Sequence, residues 1–171
     1  FVPDGDAIPE STVRVAGETV TYYLKPTTSL GSLELENTPA RTLKIDRRPH
    51  QPLRPANVKI NGQMFGKVDA GGLTKLTVTW ANRNRSYEAP QVFAWDEDGV
   101  TPEPGQTTVI RLLTSEGDLI SEVNAGTGSS YAIDIDDFGE RENALVQVFS
   151  KRGTDYSFQG HTLRISNLSH S

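Results

Sequence analysis

Any chemistry in this chain must come from histidines, carboxylates, hydroxyls or aromatic rings. Cysteine is absent, and with it go a thiolate nucleophile, a disulfide framework and a Cys-ligated metal. The three histidines are His50, His161 and His170, and no two of them stand at ligand spacing. No G-x-S-x-G nucleophile turn occurs. Gly126-Thr127-Gly128-Ser129-Ser130 is glycine-rich but lacks the lysine and the following helix of a phosphate loop. Asp96-Glu97-Asp98-Gly99 begins like a calcium loop, yet no ladder of alternating ligands follows, and Asp98-Gly99 reads as a turn. Asp134, Asp136 and Asp137, two of them pointing outward from one strand face, read as a solvated acidic surface rather than a calcium site. Nothing in the spacing of the 22 Asp and Glu residues singles out a carboxylate pair for glycoside hydrolysis. The expectation is a protein that is not an enzyme, with no cofactor and no metal.

Recognition chemistry is better represented. Arg83, Asn84 and Arg85 follow Trp80 closely. Guanidinium forks match phosphate or lipopolysaccharide groups; the plainer expectation is that one Arg stacks beside Trp80 or pairs with the acidic loop. Residues 82–106 show no strand pattern and carry Tyr87, Phe93 and Trp95. Residues 152–160 carry Tyr156 and Phe158. Long loops in compact domains usually have a binding or ordered packing role. These aromatics could stack on a sugar ring or anchor a protein contact. Alternatively Phe93 and Trp95 fold back to cap the core, which is the expectation for Trp95; Tyr87 and Tyr156 are as well placed to be exposed as buried.

The elements that position these residues read as strands. The 15 glycines and 10 prolines punctuate the whole chain, and no helical period survives between them. Val58 and Ile60 alternate with polar neighbours, and Leu76, Val78 and Trp80 share one face of a second strand. Residues 107–113 form a third, returning through Ser115-Glu116-Gly117-Asp118 to a fourth at 119–123. Tyr131, Ile133 and Ile135 face inward from a fifth, Ala144, Val146 and Val148 from a sixth, and Leu163 and Ile165 from a seventh. Seven alternating strands with turn chemistry between them predict an all-β, antiparallel sandwich. Upstream, 12–15 and 19–24 flank Ala16-Gly17-Glu18 as a hairpin, with a third strand at 42–45. That is too little to form a core alone. Pro49, Pro52 and Pro55 stiffen the connection. The expected division is therefore a small β segment over 1–56, the end of a preceding domain, and the sandwich over 57–171.

Composition narrows the function classes. In 171 residues, 17 Lys and Arg stand against 22 Asp and Glu, a formal charge of −5. A bulk electrostatic drive toward nucleic acid or anionic lipid is not expected. No apolar run approaches the roughly 20 residues of a membrane helix. The start, Phe1-Val2-Pro3-Asp4-Gly5, has no initiator Met and does not resemble a signal peptide, so the chain reads as a piece of something longer.

The order of landmarks resembles a fibronectin type III domain. A Trp lies on the second strand (Trp80), an aromatic opens the fifth (Tyr131), and the sixth ends in Lys151-Arg152-Gly153 with Ser157 beyond. A narrower resemblance spans about 20–165. Tyr22-Tyr23-Leu24, Leu30-Gly31, Arg47-Arg48-Pro49-His50-Gln51-Pro52, the run from Leu76 to Arg85, and Pro102-Glu103-Pro104-Gly105-Gln106 follow one another as in the tail-tip proteins of long-tailed bacteriophages. That resemblance implies a virion structural protein at the distal end of the phage tail, part of the hub or central fibre. Its implied partners are other tail-tip subunits, as a homotrimer in the full-length protein, and a host-surface glycan or protein met outside the cell. It implies neither nucleic-acid binding nor membrane insertion. The expected function is a non-enzymatic module that presents loops for host attachment or spaces the receptor-binding end. Arg83, Arg85, Tyr87, Phe93, Trp95, Tyr156 and Phe158 are its candidate contacts. The alternative is a carbohydrate-binding or spacer module of a secreted bacterial protein.

Overall fold

A computed structural model of the chain describes residues 17–25, 27–45, 50–85 and 93–168. The chain divides into two units, 1–50 and 51–171. The division falls before the 56/57 boundary read from the sequence, because Pro52, Pro55 and Ala56 are already buried in the second unit.

In the first unit β1 (Thr19–Tyr23) pairs antiparallel with β4 (Ala40–Lys44), Val20 opposite Leu43. The ladder continues at one end, where the Gly17 N–H donates to the Ile45 carbonyl at 2.6 Å and the Ile45 N–H to that of Glu18 at 2.7 Å. Between these strands lie the two-residue strands β2 (Thr27–Thr28) and β3 (Gly31–Ser32), paired with each other, and a 3-10 turn over Leu35–Asn37. The expected hairpin partner at 12–15 lies outside the described residues; the described partner of β1 is β4. Tyr22, Tyr23, Leu24, Leu30, Leu33, Leu35 and Leu43 are all exposed, and Thr38 alone of the described residues here is buried.

The second unit is built from two sheets. One has the order β10 (Ser130–Asp134), β7 (Lys75–Ala81), β5 (Ala56–Ile60). The other runs β6 (Lys67–Asp69), β13 (His161–Ser166), β11 (Asn143–Arg152), β8 (Gln106–Leu113), β9 (Leu119–Gly126), with β12 (Asp155–Tyr156) also on β11. Strand alternation dictates what lies between them. Val58, Ile60, Leu76, Val78 and Trp80 from one sheet meet Ile110, Leu112, Val146, Val148, Leu163 and Ile165 from the other. Phe138, on a 3-10 turn over Ile135–Phe138, is fully buried among them.

The seven strands read from the sequence are all present. The first, second and fifth form the smaller sheet, and the third, fourth, sixth and seventh lie in the larger. That is the arrangement of a fibronectin type III-like β-sandwich. The structure adds β6 and β12, too short to show alternation, and ends the fifth strand at Asp134. Ile135 still points into the core, but from the 3-10 turn that follows, so Asp136 and Asp137 do not share a strand face with Asp134.

Two local features follow from side-chain chemistry. Ile60 and Gln63 exchange both backbone hydrogen bonds at 2.9 Å around Asn61-Gly62, whose φ angles are 49° and 81°. This is the mirror-image turn that Asn-Gly favours, and Asn61 Oδ1 adds an acceptor for the Thr77 N–H at 2.8 Å. Earlier in β5 the register shifts between Ala56 and Lys59, with Asn57 at φ 48°. A single residue is thus forced into left-handed backbone at the bulge, where Asn is among the better-tolerated side chains.

Candidate functional site

The long loop after β7, the short connection after β9 and the connection after β11 meet at one pole of the sandwich. Asn82 begins the tie: its Nδ2 donates to the carbonyls of Thr127 and Gly128 at 3.3 and 3.1 Å. Its Oδ1 accepts from the buried Trp80 indole at 3.1 Å. The core Trp and the loop are therefore coupled through one amide.

Arg83 is only 6% exposed. Its guanidinium donates to the carbonyls of Asn82 (2.9 Å), Ala94 (2.7 Å), Trp95 (2.7 Å) and Glu97 (3.1 Å). A planar fork of donors is well matched to converging carbonyls. The Ala94 N–H in turn donates to Glu97 Oε2 at 3.0 Å. The side chain marked in the sequence as a candidate phosphate contact thus folds the loop from inside. It neither stacks on Trp80 nor meets solvent.

Arg85 is spent in another way. Its Nε and Nη2 bind the two oxygens of Glu103 at 2.8 and 2.7 Å, and Arg152 binds Glu103 Oε2 from the end of β11. Glu103 is 4% exposed. The hydrogen bond from Arg85 holds its carboxyl below the ordinary 4.5, against the upward push of burial. Asn84 donates to the Thr101 carbonyl at 2.9 Å, and Gln106 to that of Arg83 at 3.2 Å. Both ends of the loop are thereby fixed to the sandwich. A cleft of about 600 Å³ remains beside it, bordered by Asn82, Asp98, Thr101, Thr107 and Thr127.

The aromatic candidates separate. Trp95 does not cap the core: it is 46% exposed, with the Arg54 guanidinium 5.3 Å from its ring centre. Phe158 is 62% exposed, and Phe93 is half-buried. Tyr87 lies outside the described residues. Tyr156 is turned onto the larger sheet, away from the loop tips. Its hydroxyl donates to Glu122 at 2.8 Å, and its ring lies against Phe149 between Arg111 and Lys151. Arg111 closes the cluster on Glu122 at 2.7 Å. Burial pushes the Glu122 carboxyl up, but the bonds from Arg111 and Tyr156 outweigh it and hold the group low. Ser157, next in sequence, braces the turn: its Oγ accepts from the Ser150 N–H at 3.2 Å and donates to the Gln159 carbonyl at 2.8 Å.

The residues that build this pole and were not singled out in the sequence are Asn82, Glu103, Gln106 and Arg54. Glu103 carried one signal. It stands between Pro102 and Pro104, where fixed backbone favours a side chain with a set direction. Among the described residues no group of three or more His, Cys, Asp or Glu converges as a metal site, and Asp134 instead meets Lys75 across the sheet at 3.0 Å.

No protein-family model matches the chain, and no curated protein does. Among solved structures it is similar to a computationally redesigned β-sandwich protein, at 15% identity and a TM-score of 0.37 over 69% of this chain and 94% of that one. It is also similar to the FN1-FN3 domains of chicken CNTN1, at 13% identity and a TM-score of 0.37 over 89% of this chain. It spans 44% of that structure.

Proposed function

We propose that this chain is a non-enzymatic structural module of a tail-tip protein, hub or central fibre, of long-tailed bacteriophages, placed at the distal end of the virion tail. Its sandwich presents the loop pole for host attachment or spaces the receptor-binding end, alongside other tail-tip subunits that form a homotrimer in the full-length protein. The observation that carries the reading is the contrast within one loop. Arg83 and Glu103 are buried and committed to holding the backbone, while Trp95 is displayed on it. A displayed aromatic whose own backbone is held by a buried side chain has less entropy to lose on binding. The order of sequence motifs supports the phage assignment, and charge spent internally supports a binding role over catalysis.

The exposed indole also favours a second reading, a carbohydrate-binding or spacer module of a secreted bacterial protein, since a bare indole can lie against a sugar ring. The test is binding of the purified protein to intact cells of candidate host bacteria, beside Trp95→Ala and Phe158→Ala. Saturable binding lost in either variant supports attachment through this pole. Binding that both variants retain in full overturns it. Competition by free oligosaccharides, with binding to cells that no phage of this type infects, would favour the second reading.

A further inference from the structure

A groove of about 880 Å³ lies on the larger sheet around β6, β13 and the start of β11. It is remote from the loop pole, which β11 reaches only at Arg152. Strands β6 and β13 run parallel and set Lys67 beside Arg164. Side chains in register leave a sheet on the same face, and both of these line the groove. Two like charges so placed work against folding, and a carboxylate neighbour usually answers them. Here neither cation has an ion-pair partner among the described residues. Asp69, two residues along β6, attracts Lys67 without forming an ion pair with it, and its Oδ1 is taken by the Gly71 N–H at 2.9 Å and Asn167 Nδ2 at 3.0 Å.

The surroundings narrow what could answer the charge. Leu145 is the in-register neighbour of Arg164 and gives the groove an apolar wall, with Asn143 and Thr162 beside it. Glu116 and Glu142 outnumber Arg141 around the adjoining depression, and the whole chain carries −5, so a polyanion is disfavoured. What fits is a small ligand with one anionic group, a hydroxylated body for the amide and hydroxyl, and a C–H face for Leu145. We propose that this groove binds a carboxylated saccharide, its carboxylate between Lys67 and Arg164. The inference is independent of the reading of the loop pole.

The experiment is a titration of the isotope-labelled full chain, followed by its backbone amide resonances, with glucuronate, glucose and inorganic phosphate as probes. Glucuronate is expected to move the amides of Lys67, Asn143, Thr162 and Arg164 saturably, and glucose to leave them in place. Lys67→Gln and Arg164→Gln should each weaken glucuronate binding about tenfold, the loss of one charged contact. Both variants should melt no lower than the parent, because each removes a like-charge neighbour. An equal response to phosphate would overturn the saccharide and leave a bare anion site. No response to glucuronate, or binding unchanged in both variants, would overturn the site. A lowered melting temperature in both would overturn the like-charge argument on which it stands.

Discussion

The described residues of the two units show what alternation achieves with and without a second layer. In the larger, inward residues of two sheets close on each other, and Val58, Ile60, Leu76, Ile110 and Val146 are fully buried. In the smaller, β1 and β4 pair over five residues with good register, yet Leu43 is 54% and Tyr22 41% exposed. Paired backbone alone does not remove apolar area from water; a facing layer does. Stability should therefore reside almost wholly in residues 51–171.

The widest gap is expected between Phe138→Ala and Leu43→Ala. The first empties a fully buried site and should cost about 3–5 kcal/mol, read as a lower denaturant midpoint of the main unfolding transition. The second should stay within about 0.5 kcal/mol. Comparable losses would mean that the first unit folds on a core of its own.

Next comes Gly160→Ala. A Cβ there would sit 2.6 Å from the Phe149 ring, so the ring or the strand start must move. Such overpacking costs about 1–3 kcal/mol. Because Phe149 lies against Tyr156, near-ultraviolet circular dichroism should change with it. A neutral effect would show that the outer aromatic cluster is loosely held.

Glu103→Gln should cost about 1–3 kcal/mol near neutrality, the range for a buried charge-assisted hydrogen bond. Since the folded carboxyl titrates below its unfolded value, the stabilisation is fully present above about pH 4.5 and fades as pH falls through the lowered folded value. Parent and variant melting curves should therefore converge in strong acid. A gap that persists there would assign the effect to packing rather than charge.

The smallest effect is expected for a glycine at position 57. Asn57→Gly should leave stability within about 0.5 kcal/mol, since glycine meets the positive φ without strain, whereas Asn57→Val should cost about 1–3 kcal/mol. Equal melting temperatures for the two would show that the bulge is not held in left-handed backbone.

The seven main strands of the sandwich were legible because each alternates for at least two inward residues or flanks an evident turn. Lys67-Val68-Asp69 offers one apolar residue and no period, so β6 was invisible, and with it the Lys67–Arg164 pair. The loops of the pole were legible as candidate binding segments but not as a mechanism. A sequence shows Arg83 as a charge in a polar loop. Only the chain path shows four carbonyls converging on it, contributed by residues up to 14 positions away. Trp95 departs from expectation for a related reason: the core already has its plug in Trp80, and Trp95 instead lies exposed beside Arg54.

The parallel pairing of β6 with β13 has a mechanical corollary. The two strands come from opposite ends of the sandwich's sequence, and the Ala70 N–H to Ser166 carbonyl bond extends their junction at 2.8 Å. Once β5 is drawn off β7, a force pulling residues 51 and 168 apart draws β6 toward its start and β13 toward its end, so the strands slide along their length. Their hydrogen bonds are then loaded together in shear, not opened one at a time as in a peeled hairpin, and the module should resist stretching along its chain axis more than its three-residue seam suggests.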